Sequence, residues 1–169
     1  MLAKCKQYAN HMSMESVREQ IQIFTRRFGL LNASCCDECC GEQVSMTQSH
    51  ILFEVRRAGS PSMLQVAQEL GVDVTTFSRQ VKTLEARAFI SRTVSPDDRR
   101  VTLLGLTDEG TRVLERIDSF MAARVEKIFD HMTLFERETV VRSLGLLNEA
   151  LIQTAQDSGN QKGIIACCK

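Results

Sequence analysis

Between residues 14 and 32, Val17, Ile21, Phe24, Phe28 and Leu31 recur at alternating steps of four and three. That period gathers apolar side chains along one side of a helix, and a stripe this regular needs another surface to cover it. Asn32-Ala33-Ser34 and a run of cysteines break the pattern, and Gly41 closes the break. A second helix is predicted from about Ser45 or Thr47 to Ala58, with Ile51, Leu52 and Val55 inward and Gly59 as its C-cap. Ser62 followed three residues later by Gln65 has the form of a capping box, which opens a short helix from Met63 to Leu70 that stops at Gly71. Asp73 then caps a helix from Val74 to about Ala88.

Two short helices joined by Leu70-Gly71-Val72-Asp73 have the spacing of a helix-turn-helix. The next segment of the chain sharpens that reading. Ile90 to Val94 and Val101 to Leu106 are β-prone runs separated by Ser-Pro-Asp-Asp-Arg-Arg, a hairpin with a basic tip. Thr107, with Asp108 and Glu109 in the first turn, caps a long helix through about His131, and a last helix covers Leu134 to Gln156. The fold class expected is mainly α with one small β-hairpin wing. Residues 45–110 form the winged helix-turn-helix lobe, 14–34 and 111–156 supply flanking helices, and 157–169 form a polar, cysteine-bearing flexible tail.

The predicted Val74 to Ala88 helix turns Phe77, Val81, Leu84 and Ala88 to one side and Thr75, Arg79, Lys82 and Ala86 to the other. The second side is small, hydroxylated and cationic, which suits entry into a major groove. Short side chains permit close approach, and Arg79 can make a bidentate contact to guanine. Thr76 and Ser78, at its margins, can bind phosphate. An ordinary solvated face is the alternative. Net charge is zero, yet residues 75–100 hold six basic residues (Arg79, Lys82, Arg87, Arg92, Arg99, Arg100) against Glu85, Asp97 and Asp98. That is a modest basic patch.

These residues together carry a resemblance. Leu64 to Val72, Thr76-Phe77-Ser78-Arg79 and above all the run Asp98-Arg99-Arg100-Val101-Thr102-Leu103-Leu104-Gly105-Leu106-Thr107-Asp108-Glu109-Gly110 resemble the MarR family of bacterial winged-helix transcription regulators. The resemblance implies that Asp98 and Arg100 shape the wing, and that Arg99 and Arg100 reach a minor groove. It also implies an obligate homodimer, built from the first helix and the last two, on a pseudo-palindromic duplex of DNA. Such a dimer would cover the apolar stripe and set two recognition helices about 34 Å apart.

The remaining chemistry is sulfur. Among 169 residues there are seven cysteines, of which Cys35-Cys36 and Cys39-Cys40 bracket Asp37-Glu38, and Cys167-Cys168 close the tail. The N-terminal residues are too polar for the apolar core of a signal peptide, so a cytoplasmic setting and free thiols are expected. The chain has only two prolines and no tryptophan, and no apolar run approaches the length that spans a bilayer. The leading expectation is a repressor released when a thiophilic ion (arsenite, copper(I), zinc or cadmium) binds Cys35, Cys36, Cys39 and Cys40, with Cys167 and Cys168 as further ligands. Glu38 and His50 are weaker ligand candidates. Zinc-responsive members of the family place a histidine where His50 stands, but their histidine pair after the wing is missing here.

Two other sensing modes compete. One is a thiol redox switch, against which Asp37 and Glu38 count, because they raise thiol pKa. The other is a small phenolic or aromatic ligand in the family's usual pocket, with the cysteines incidental. No cofactor is required by any of the three, and the isolated Cys5 is expected to be inert. Enzymes are disfavoured: no phosphate loop, nucleophilic triad or zinc-protease motif occurs, and His11, His50 and His131 are scattered. A thiol-disulfide enzyme built on Cys36 and Cys39 would need a strand-helix unit that this chain lacks.

Overall fold

The structure, a computed structural model, describes residues 14–30 and 44–157. Along the chain run α1 (Met14–Arg27), α2 (Met46–Ala58), α3 (Met63–Glu69), α4 (Val74–Ala86), β1 (Ile90–Val94), β2 (Thr102–Leu106), α5 (Asp108–Phe129) and α6 (Leu134–Asp157). This is the expected order of elements, and the ends are set by local chemistry. Ser45 and Ser62 each close a capping box, their hydroxyls accepting from the N–H groups of Gln48 and Gln65 at 3.2 Å. The glutamine side chains return the bond to the serine N–H groups at 3.1 and 2.8 Å. Gly59 and Gly71 leave α2 and α3 at positive φ, +82° and +62°, the left-handed turn that glycine makes without strain.

α3 and α6 end within one residue of expectation, at Glu69 and Asp157, and four other boundaries differ from it. α1 ends at Arg27, four residues short of Leu31, because Gly29 turns the chain at φ +80°. α4 ends at Ala86, and Ala88 is not on its inward side: it takes φ +57° and is exposed. The Phe89 N–H bonds to Leu84 O at 2.9 Å, so the chain reverses there and Phe89 fills the core position instead. Val101 precedes β2 and belongs to the wing turn, its N–H held by Asp98 O at 2.9 Å. α5 stops at Phe129, with Asp130 as its cap.

One core unites α2, α3, α4, the hairpin and the first half of α5. Ile51, Leu52, Val55, Phe77, Val81, Leu84, Leu104 and Val113 are all fully buried in it. β1 and β2 pair antiparallel in the register Ile90↔Leu106, Arg92↔Leu104, Val94↔Thr102. A bridge from Ser62 to Leu103 and a 2.8 Å bond from the Leu104 N–H to Pro61 O fasten β2 to the entry of α3.

The hairpin joins α5 at one close approach. Thr107 caps α5 by accepting from the Gly110 N–H at 2.9 Å, and a Cβ on Gly110 would overlap the Phe89 carbonyl oxygen. Gly110→Ala should therefore cost about 2–3 kcal/mol by forcing backbone apart. A denaturant midpoint unchanged from wild type would contradict that packing.

Outside the lobe, large apolar faces lie open. In the single chain Val17, Ile21 and Phe24 of the α1 stripe stay exposed, as do Leu134, Phe135, Val141, Leu144, Leu146, Leu147, Leu151 and Ile152 of α6. Phe28 is half-buried, stacked on Phe24 at 5.1 Å, with the Arg124 guanidinium of α5 4.9 Å from its ring. Leu31, the last residue of the stripe, lies outside the described residues. Among the described residues, no helix is long and apolar enough to cross a membrane.

Candidate nucleic-acid interface and hinge cavity

α3 and α4 form the helix-turn-helix. Asp73 starts α4 by accepting from the Thr76 N–H at 2.9 Å, and hydrogen bonding from the Thr76 side chain, reinforced by that N–H, holds its carboxyl below the usual carboxylate range. The core grips α4 through Phe77, Val81 and Leu84, which leaves Thr75, Thr76, Arg79, Lys82 and Ala86 exposed and Ser78 at the margin, half-buried. Of the six basic residues of this region, two are engaged within the fold. Arg87 lies over the Phe89 ring at 4.5 Å, and Arg92 Nε stands 2.9 Å from Glu85 Oε2. Arg79, Lys82, Arg99 and Arg100 are exposed and form no ion pair among the described residues.

Asp98 acts on the wing through the main chain. Its Oδ1 accepts from the Arg100 N–H at 2.9 Å, while Ser95 Oγ accepts from the Asp97 N–H at 3.3 Å. These two short-range bonds fold the tip on which Arg99 and Arg100 are both exposed to solvent. The resulting surface carries a helix face of hydroxyls and cations beside a cationic wing. It has the chemistry to meet phosphate with the cations and base edges with Arg79 and the threonines.

A second feature lies where the turn after α1 meets α2 and α5. Here a cavity of about 290 Å³ is walled by Phe28, Leu30, Met46, Phe53, Leu114, Ile117 and Met121, with Ser49, His50 and Asp118 as its polar members. Sequence reasoning gave His50 a place as a ligand candidate but did not see the cavity. The signal was present: Met46, Ser49, His50 and Phe53 share one side of α2, and Leu114, Ile117, Asp118 and Met121 share one side of α5. Asp118 is already paired with Arg56 at 2.7 Å.

Among the described residues, no group of three or more His, Cys, Asp or Glu side chains is placed to hold a metal ion. Cys35, Cys36, Glu38, Cys39, Cys40, Cys167 and Cys168 lie outside the described residues. A larger polar groove of about 540 Å³ borders α2 and α3. Its charge is satisfied internally, since Arg57 sits 2.6 Å from Glu54 and 3.1 Å from Glu69.

Comparison with known proteins agrees with this geometry. The MarR family model matches residues 44–102, which run from the start of α2 through the wing tip. The HTH-type transcriptional regulator YxaD of Bacillus subtilis is 26% identical over 143 residues, spanning 85% of this chain and 98% of that one. The crystal structure of Streptococcus pneumoniae FabT in complex with DNA superimposes with a TM-score of 0.71 at 25% identity, covering 84% of this chain and 99% of that chain. RV1404 from Mycobacterium tuberculosis shares the fold, with a TM-score of 0.69 at 23% identity over 83% of this chain and 95% of its own. Over residues 44–102, the stretch that holds the helix-turn-helix and the start of the wing, this chain is similar to the MarR family, and YxaD is described as a transcriptional regulator.

Proposed function

We propose that the protein is a homodimeric repressor, in which the exposed faces of α1, α5 and α6 join two copies and each α4 enters a major groove of a pseudo-palindromic duplex. The observation that carries this reading is a set of four exposed cations that form no ion pair among the described residues: Arg79 and Lys82 on α4, Arg99 and Arg100 on the wing. Thr75, Thr76 and Ser78 add contacts to phosphate or base edges. The FabT complex with DNA supports the same use of this fold.

Selection of duplexes from a random-sequence pool tests the proposal directly, and enrichment of an inverted repeat is the expected result. On the selected duplex, replacing Arg99 and Arg100 by Ala should weaken binding and flatten its salt dependence, by about 0.9 in log–log slope for each phosphate no longer neutralised. A constant slope would remove the wing from the interface.

Control of this grip is assigned to the hinge. Leu30 and Met46, which flank the cysteine-bearing stretch, both wall the cavity between the turn after α1, α2 and α5. An event in that stretch or in the cavity therefore acts where the paired helices join the DNA-reading lobe. Release by a thiophilic ion or by thiol oxidation rests on the clustered cysteines of the sequence. Release by a small aromatic ligand rests on the cavity, whose walls are apolar and whose polar groups are few, a combination suited to a ring with one or two polar substituents. DNA release assayed in parallel with arsenite, copper(I), zinc, cadmium, peroxide and a panel of phenolic acids separates the three. Replacing Cys35, Cys36, Cys39 and Cys40 by Ser should abolish the response to ions or oxidant while leaving DNA binding intact.

A further inference from the structure

Arg92 occupies a position that the hairpin would ordinarily give to an apolar side chain. It stands directly opposite Leu104, which is fully buried, and between Ile90 and Val94 on the same face of β1. Along that face burial falls outward: Ile90 is 2% exposed, the Arg92 side chain 26% and Val94 60%. Arg92 thus marks the last point at which β1 still touches the lobe. Beyond it the side chains of Thr93 and Val94 are exposed.

What it touches there is the recognition helix. Arg92 Nε lies 2.9 Å from Oε2 of Glu85, in the last turn of α4. The contact is ionic without the alignment of a hydrogen bond, and Nε and Nη2 are enclosed with no acceptor among the described residues. An enclosed guanidinium with idle donors is a poor stabiliser, so its effect is better sought in position than in stability. The other strand has its own fastening, from Leu103 and Leu104 to Ser62 and Pro61. Two ties, one per strand, therefore fix the base of the wing.

We propose that the Glu85–Arg92 contact is a strut that sets the angle between the recognition helix and the wing, making Glu85 and Arg92 positioning residues for DNA binding. If α4 lies in a major groove, that angle decides whether Arg99 and Arg100 reach the backbone beside it. The inference rests on the DNA-binding reading above. It adds that a carboxylate, which by charge alone repels phosphate, strengthens the grip.

The sign of one substitution tests this. Glu85→Gln keeps the size of the side chain and removes a negative charge close to the groove-facing helix. Charge alone predicts tighter binding, whereas a broken strut predicts weaker binding. On the duplex selected by the wild-type protein, Glu85→Gln should weaken binding by about tenfold with a reduced salt slope. Its melting temperature should stay close to wild type, because the ion pair is partly exposed.

In that background the further weakening on replacing Arg99 and Arg100 by Ala should shrink, since misplaced cations have little left to contribute. The exchanged pair, Glu85→Arg with Arg92→Glu, should restore binding and the salt slope. Equal or tighter binding by Glu85→Gln, or an exchanged pair as weak as Glu85→Gln, would overturn the strut. Failure of the wild-type protein to bind any duplex would instead overturn the DNA-binding reading itself.

Discussion

In the homodimer proposed above, placing a carboxylate in the middle of either uncovered helix face, by Ile21→Glu in α1 or Leu147→Glu in α6, should shift the protein from dimer to monomer at micromolar concentration. Both side chains are about half-exposed in the single chain, at 51% and 45%, so the substitution disturbs no core of its own protomer. At a twofold interface each change is present in both copies, and each copy would desolvate an unpaired charge at about 2–3 kcal/mol. The pair together raises the dimer dissociation constant by on the order of 10³–10⁴. Sedimentation velocity reads this shift. Unfolding of the lobe, buried around Phe77 and Ile51, should stay cooperative, with its midpoint lowered only by the loss of dimerisation free energy. A dimer of wild-type strength carrying Leu147→Glu would place the partner surface elsewhere.

Arg79→Ala should give the second-largest effect, and its signature differs. Arg79 is exposed on α4, flanked on the same side by Thr75 and Lys82, and forms no close ion pair among the described residues, the charge of Asp73 acting on it only at longer range. A bidentate contact from such a residue to guanine is worth about 1–3 kcal/mol, and a twofold-symmetric complex loses two of them, about 2–6 kcal/mol in all. Titration against the selected duplex and against one with the corresponding base pair changed in both half-sites separates base reading from phosphate attraction. The wild-type preference between the two should collapse in the variant. A uniform weakening on both duplexes would make Arg79 a phosphate contact instead.

Much of the fold was legible because it is written over short stretches of chain. The two capping boxes, at Ser45–Gln48 and Ser62–Gln65, each need only residues three apart, and the hairpin announces itself by two β-prone runs around Ser-Pro-Asp-Asp. Ala88 shows where that reading stops. Its period placed it on the inward side of α4, yet it occupies the left-handed position more often held by glycine, because Phe89 competes for the same core space and buries more apolar surface.

The candidate site divides in the same way. By itself the sequence determined the exposed face of α4, since a helical period and the apolar residues Phe77, Val81 and Leu84 leave Thr75, Arg79 and Lys82 no other side to occupy. It also determined that α1 carries an apolar stripe in need of cover. Only the tertiary structure decided which cations remain free, because Arg92 meets Glu85 and Arg87 meets Phe89 through the turn at the end of α4. Only it placed His50 in a cavity, whose walls come from the turn after α1, from α2 and from α5, segments up to 93 residues apart between Phe28 and Met121. Periodicity reports which side of an element faces inward; which distant side chain it meets there depends on how the elements pack.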